Sequence, residues 1–137
     1  KRNDAYIKNG RRYVVGVSDN DKEIAFFIAR AHESNESFQH EVQKRLEAKR
    51  RTLDSLAKTD KQAETKMRSE LVLGAFVESC IKGWENVQDE TGADLAYGDE
   101  GLKKIATLPE LVEDLFKFAS TDSNYVGEFD EEDALKN

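Results

Sequence analysis

What this sequence has little of narrows it first. Cys80 is the one cysteine, so no disulfide can form within the chain, and a single thiol suits a reducing compartment. One proline and eight glycines are too few turn formers for an all-β sandwich. The two histidines, His32 and His40, stand in no metal-ligand spacing, and Cys80 has no neighbouring thiol. No apolar run approaches the roughly 20 residues of a membrane span, and the N-terminus lacks a signal-peptide pattern. The chain opens at Lys1 rather than methionine, as it would if an initial segment had been removed or omitted. These absences predict an intracellular protein that is not an enzyme and has no cofactor, no metal and no membrane contact.

What is present is charge. Lys, Arg, Asp and Glu make up 36% of the 137 residues, enough to make a single-domain chain very polar for its size. The charge is unevenly placed. Residues 1–84 hold 17 Lys/Arg against 13 Asp/Glu, whereas residues 85–137 hold 4 Lys against 15 Asp/Glu. The acidic half repels nucleic acid and membrane surfaces, favours basic partners and keeps exposed apolar surface in solution. The cluster Lys44, Arg45, Lys49, Arg50 and Arg51 is the best case for nucleic acid. Glu41 and Glu47 interleave with it at helical pair spacing, and no aromatic residue is present to stack a base. A solvated helix face is the simpler reading, and the cluster could equally dock an acidic tail. The carboxylate pairs Asp89-Glu90 and Asp99-Glu100 and the run Glu131-Glu132-Asp133 form no calcium loop, and their polar surroundings give no reason for shifted acid–base chemistry.

Periodicity predicts a mainly α, α+β fold: an N-terminal β-hairpin, an antiparallel helical hairpin and a C-terminal helical segment. Residues 12–18 and 23–29 are β-branched and aromatic, joined by the turn Asp19-Asn20-Asp21-Lys22, with Ile24, Phe26 and Ile28 on one face. A helix over 36–57, capped by Ser34 or Asn35, stripes Phe38, Val42, Leu46, Leu53 and Leu56. A second runs over 61–82 behind a Thr59/Gln62 capping box, and Gly83 supplies its left-handed C-terminal cap. Its later half, from Leu71 to Ile81, is apolar nearly all round, so it is either central to the fold or held against another molecule. An acidic, turn-rich loop follows from Trp84 to Gly101, then a short helix over 102–106. The last helix starts at Thr107–Glu110 as a capping box, with Pro109 in the first turn, and runs to Ser120. One domain over 1–120 and a flexible acidic tail over 121–137 are the expected organisation. Trp84 reads as a core residue pinning the acidic loop, with an interface anchor as its alternative.

Four motifs occur in order: the strand exit Ile28-Ala29-Arg30; Gly83-Trp84-x-x-Val87-x-Asp89-Glu90-x-Gly92 after the apolar helix; a short helix; and Pro109-Glu110-Leu111. Over residues 12–120 this pattern resembles the tail assembly chaperones of long-tailed bacteriophages. One departure is Gly98-Asp99-Glu100-Gly101, where relatives usually carry a Ser or Thr cap and a Glu-Asn pair; Asp99 is left to cap. The resemblance implies a non-enzymatic protein of the host cytoplasm, absent from the finished virion. Such a protein binds the tape measure protein, holds it soluble and recruits tail tube protein. A frameshifted longer form is common in the family, and Lys136-Asn137 is compatible with a slippery site. Leu73, Phe76, Val77, Trp84, Leu115 and Phe116 are the expected partner-binding or self-association residues, and a homo-oligomer is expected because stripes and sheet edges stay uncovered. The alternatives are a tail completion or connector protein and a helical nucleic-acid-binding protein.

Overall fold

A computed structural model describes residues 9–128. The predicted α+β architecture is present. In chain order come β1 (Arg11–Val17), β2 (Glu23–Ile28), α1 (Glu36–Ala48), α2 (Arg50–Thr59) and α3 (Lys61–Cys80). They are followed by β3 (Ile81–Glu85), α4 (Asp99–Ala106), α5 (Pro109–Ala119) and a 3-10 segment, Asp122–Glu128. Of the acidic tail expected over 121–137, only this first part is described; residues 129–137 lie outside the described residues.

The hairpin turns where its composition predicted. Asp21 takes a positive φ of 59°, which a short polar side chain tolerates, and Ser18 bonds Lys22 and Asp21 across the turn. A bulge between Val14 and Gly16 shifts the register at Val15. Phe26 and Ile28 lie fully buried against the helices, with Ile24 at the edge of the same face.

The sheet has a third strand, and this corrects the reading of Gly83. Helix α3 stops at Cys80, and Ile81 enters extended backbone at once, at φ −82° and ψ 107°. Ile81–Glu85 then pairs antiparallel with β2, setting Trp84 opposite Phe26 and Gly83 opposite Phe27. Gly83 is therefore a strand residue with no positive φ, not a helix cap. The sheet order is β1-β2-β3, so the strand that leaves α3 extends a hairpin whose two strands alone would be marginal in water.

The helix predicted over 36–57 breaks at Lys49, whose φ of −110° and ψ of 13° end α1 and begin α2. No proline or glycine marks the break. It falls where the apolar stripe skips from Leu46 to Leu53 across polar residues and one alanine. Asn35 is the cap of α1: its side-chain oxygen accepts the Phe38 N–H at 3.2 Å, and its amide donates to the Arg30 carbonyl at 3.0 Å. The two expected capping boxes are displaced. Thr59 is still helical, so its hydroxyl bonds back to the Ser55 carbonyl, and Asp60 caps α3 by accepting the Ala63 N–H. Thr107 likewise bonds back to Lys104 at the end of α4, leaving Leu108 at the N-cap of α5 with no side-chain cap. Pro109 holds the first turn as predicted. Asp99 is the first residue of α4 and Gly98 its cap, so Asp99 caps nothing.

The later half of α3 is the centre of the molecule. Ala75, Phe76, Val77 and Cys80 are buried between the sheet and α5, and Phe76 meets Phe116 edge-on at 5.4 Å. Backbone bonds from Ala29 to Cys80 and from Ala31 to Ala119 stitch the exit of β2 to the ends of α3 and α5. The 3-10 segment closes the same corner. The Tyr125 hydroxyl donates to the Ile28 carbonyl at 2.9 Å, and Asp122 pairs with Arg30 at 2.7 Å.

Candidate functional site

The segment from Trp84 to Gly98 is acidic, but it is not loose. Trp84 packs edge-on against Phe26 at 5.8 Å and Tyr97 at 5.1 Å, and its indole N–H donates to the Leu95 carbonyl at 2.6 Å. The Tyr97 hydroxyl donates to the Ile81 carbonyl at 2.6 Å. Asn86, at φ 60°, turns the chain out of β3 and bonds the Glu23 carbonyl. A small antiparallel closure follows: Leu95 N–H donates to the Val87 carbonyl, and Gln88 bridges Asp94. Its tip is built by Asp89, whose carboxylate accepts from the Thr91 hydroxyl and from the Thr91 and Ala93 N–H groups. The Thr91 hydroxyl is the main reason the Asp89 carboxyl is held below its usual range, with the two N–H donors adding to it. Gly92 completes the tip at φ 85°, a conformation that favours glycine.

Behind this loop lies Gly101, in the first turn of α4. A Cβ there would meet the Trp84 ring at 2.8 Å and collide with the Ala96 carbonyl. The glycine thus lets α4 press on the indole, and Trp84 joins β3, the loop and α4. Its placement agrees with the reading of a core residue that pins the acidic loop.

The pinned loop forms one wall of an open cleft of about 700 Å³. The sheet supplies Val15 and Ile24, the loop Val87, Gln88 and Leu95, and the corner between α4 and α5 supplies Leu108 and Leu111, with buried Phe26 and Ile105 beneath them. Leu108 is 49% exposed, which is unusual for a leucine in contact with so much apolar surface. Charge lies only at the rim: Asp89 and Glu90 on the loop side, Lys103 and Lys104 on the α4 side. None of Glu90, Lys103 and Lys104 forms an ion pair among the described residues.

The residues singled out from the sequence are divided differently. Phe76, Val77 and Leu115 belong to the closed core. Leu73 and Phe116 are partly exposed and line a shallow groove between α3 and α5 with Val72, Arg68 and Glu113. Trp84 stands behind the cleft wall. Leu108, Leu111, Val112, Leu115, Phe116 and Ala119 recur at helical spacing as one stripe, but nothing in that stripe separates its open end, Leu108 and Leu111, from its closed one. Val15 and Val87 carried no signal beyond β-propensity and the family motif.

The other candidates lie outside the cleft. His32 Nδ1 accepts the Ser34 N–H at 3.0 Å, and His40 is exposed on α1. Arg50 pairs with Glu47 in solvent, as a solvated helix face requires, whereas the Arg45–Glu41 pair is half-buried, with the Arg45 guanidinium lying against Gly74 of α3. Glu64 was not anticipated. It is 5% exposed and bonded by Lys61 at 2.7 Å and Arg68 at 3.0 Å, both of which lower its pKa. Its low exposure comes from those basic side chains lying over it. Among the described residues, no group of three or more His, Cys, Asp or Glu could hold a metal ion, and no helix is long and apolar enough to cross a membrane.

Comparison with curated proteins and with solved structures returned no match. Residues 34–137, which include α1 to α5 and most of the cleft wall, match the family described as YdaY prophage protein. The chain is phage-derived and belongs to the YdaY prophage protein family.

Proposed function

We propose that this prophage protein is a tail assembly chaperone: a non-enzymatic protein of the host cytoplasm that binds the tape measure protein, holds its apolar helices in solution and recruits tail tube protein. The observation that carries the proposal is the coincidence of motif and cleft. Within Gly83 to Gly92, Trp84 pins the wall, Val87 lines the cleft, Asp89 and Gly92 fold the tip, and Glu90 stands on the rim. A chaperone for an apolar helical client needs apolar surface that stays open and enough like charge to remain dispersed. The cleft and the acidic half supply these two properties. Self-association belongs to the same reading, as does absence from the mature virion.

The test is co-expression with a tape measure protein from the same prophage. A large rise in that protein's soluble fraction, with co-purification, is the expected result. Leu108→Asp should abolish both, because it places a charge in the apolar wall of the cleft. If the folded chain gives no rise and no complex, the chaperone reading fails. Detection of the chain in purified particles would then identify it as a structural tail component.

A further inference from the structure

The cleft's chemistry says more about its occupant than that it is apolar. Its uncharged polar side chains are two, Gln88 on the loop and Thr107 beside α4, few for orienting a small molecule. The Thr107 hydroxyl is already bonded to the Lys104 carbonyl at 2.6 Å. All the charge sits on two facing rims of opposite sign. On the α4 side, Lys103 and Lys104 have no ion-pair partner among the described residues. On the loop side, Glu90 forms no ion pair among the described residues, and Asp89, bonded within the tip, keeps its negative charge and is attracted by Lys104 on the opposite rim. An apolar trough between a basic and an acidic rim is complementary to an amphipathic helix laid lengthwise, the helix-in-groove mode of recognition.

We infer that the cleft takes a helix whose apolar stripe is bordered by acidic residues on one edge and basic residues on the other, and that the opposed rims fix the direction in which it lies. The inference rests on reading the cleft as the client site and adds the client's chemistry. Turning a bound helix end for end exchanges its edges, so a mixed-edge helix meets both rims favourably in one direction only. A helix with like-charged edges meets one rim unfavourably whichever way it lies. Rims of this kind set register and orientation more than raw affinity. The bonds from Trp84 to Leu95 and from Tyr97 to Ile81 hold the acidic rim in place before any partner arrives.

The probes are three labelled peptides, helical by circular dichroism, that share one leucine stripe. The first has glutamates on one edge and lysines on the other, the second glutamates on both, the third lysines on both. Fluorescence anisotropy with the full chain should rank the mixed peptide roughly fivefold tighter than either like-charged one at low salt, the size expected for a few exposed pairs. The gap should close as salt is raised. In Lys103→Glu/Lys104→Glu both rims are acidic, and the preference should pass to the all-lysine peptide. Equal affinities, no binding, or an unchanged ranking in the double variant would overturn the inference. If the peptides do not bind while the tape measure protein still co-purifies, the chaperone reading stands and this one falls. If the ranking holds while the tape measure protein is not solubilised, the cleft's preference stands and the client must be sought elsewhere.

Discussion

Two apolar surfaces of this protein are built from the same residue types and meet different ends. Between β2, α3 and α5, Ile28, Phe76 and Leu115 are sealed from water. Some residues away on the same α5 stripe, Leu108 and Leu111 face a cleft that stays open. The difference lies in the loop over 86–98, which is tied back to the sheet by Trp84 and Tyr97 and so cannot fold down over the leucines. Apolar surface collapses wherever chain is free to cover it; here the covering chain is tethered. The closed surface holds the fold together, and the open one is held in readiness by it.

The largest effect that would sharpen this contrast is on the closed side. Phe76→Ala should destabilise the fold by about 3–5 kcal/mol, the usual cost of removing a fully buried aromatic ring, as read by chemical denaturation. A cost below 1 kcal/mol would mean that the centre of the molecule lies elsewhere. Gly101→Ala acts at the joint between the two surfaces. Its Cβ must displace the indole or the Ala96 carbonyl, at a cost of about 1–3 kcal/mol. Tryptophan fluorescence should shift as the ring moves, and an unchanged spectrum would show that Trp84 is not the hinge of the cleft wall.

Cys80 reports on the closed side without mutation. Burial is the main cause that pushes its thiol from an ordinary 9.0 up to about 12. Its contribution to stability is whole below the ordinary value and should fall as pH rises through 9 toward 12, by up to about 1.4 kcal/mol per pH unit. A thiol reagent at neutral pH should react only at the rate of unfolding; immediate reaction would show that the core is open. The smallest effect on stability belongs to Leu108→Asp. Leu108 occupies the uncapped N-cap of α5, where an aspartate can accept the N–H groups of the first turn. The gain should roughly offset the lost apolar contact, leaving the midpoint within about 1 kcal/mol of the original. Client binding should nevertheless disappear, so the two surfaces would separate cleanly into one for stability and one for function.

Much of the fold was legible because it is local. The hairpin turn, the Asn35 cap, Pro109 and the greasy half of α3 are each specified within a few residues. Where the reading slipped, neighbours competed. Thr59 and Thr107 could cap forwards or bond backwards, and the helix each one already belonged to, or had just ended, took the hydroxyl. Strand β3 escaped because its five residues follow α3 without a linker and their hydrogen-bonding partners lie in β2, far back in the chain. Glu64 looked like one more surface charge until Lys61 and Arg68 closed over it.

By itself the sequence determined that this would be an α+β protein with one dominant apolar helix, an acidic second half and a Gly-Trp motif joining the two. Periodicity, capping and charge are properties of adjacent residues. Only the tertiary structure decided that Phe76, Val77 and Leu115 close the core while Leu108 and Leu111 remain at an open cleft. Burial depends on which distant segment covers a side chain, and here that segment is held away by two hydrogen bonds that no local pattern encodes.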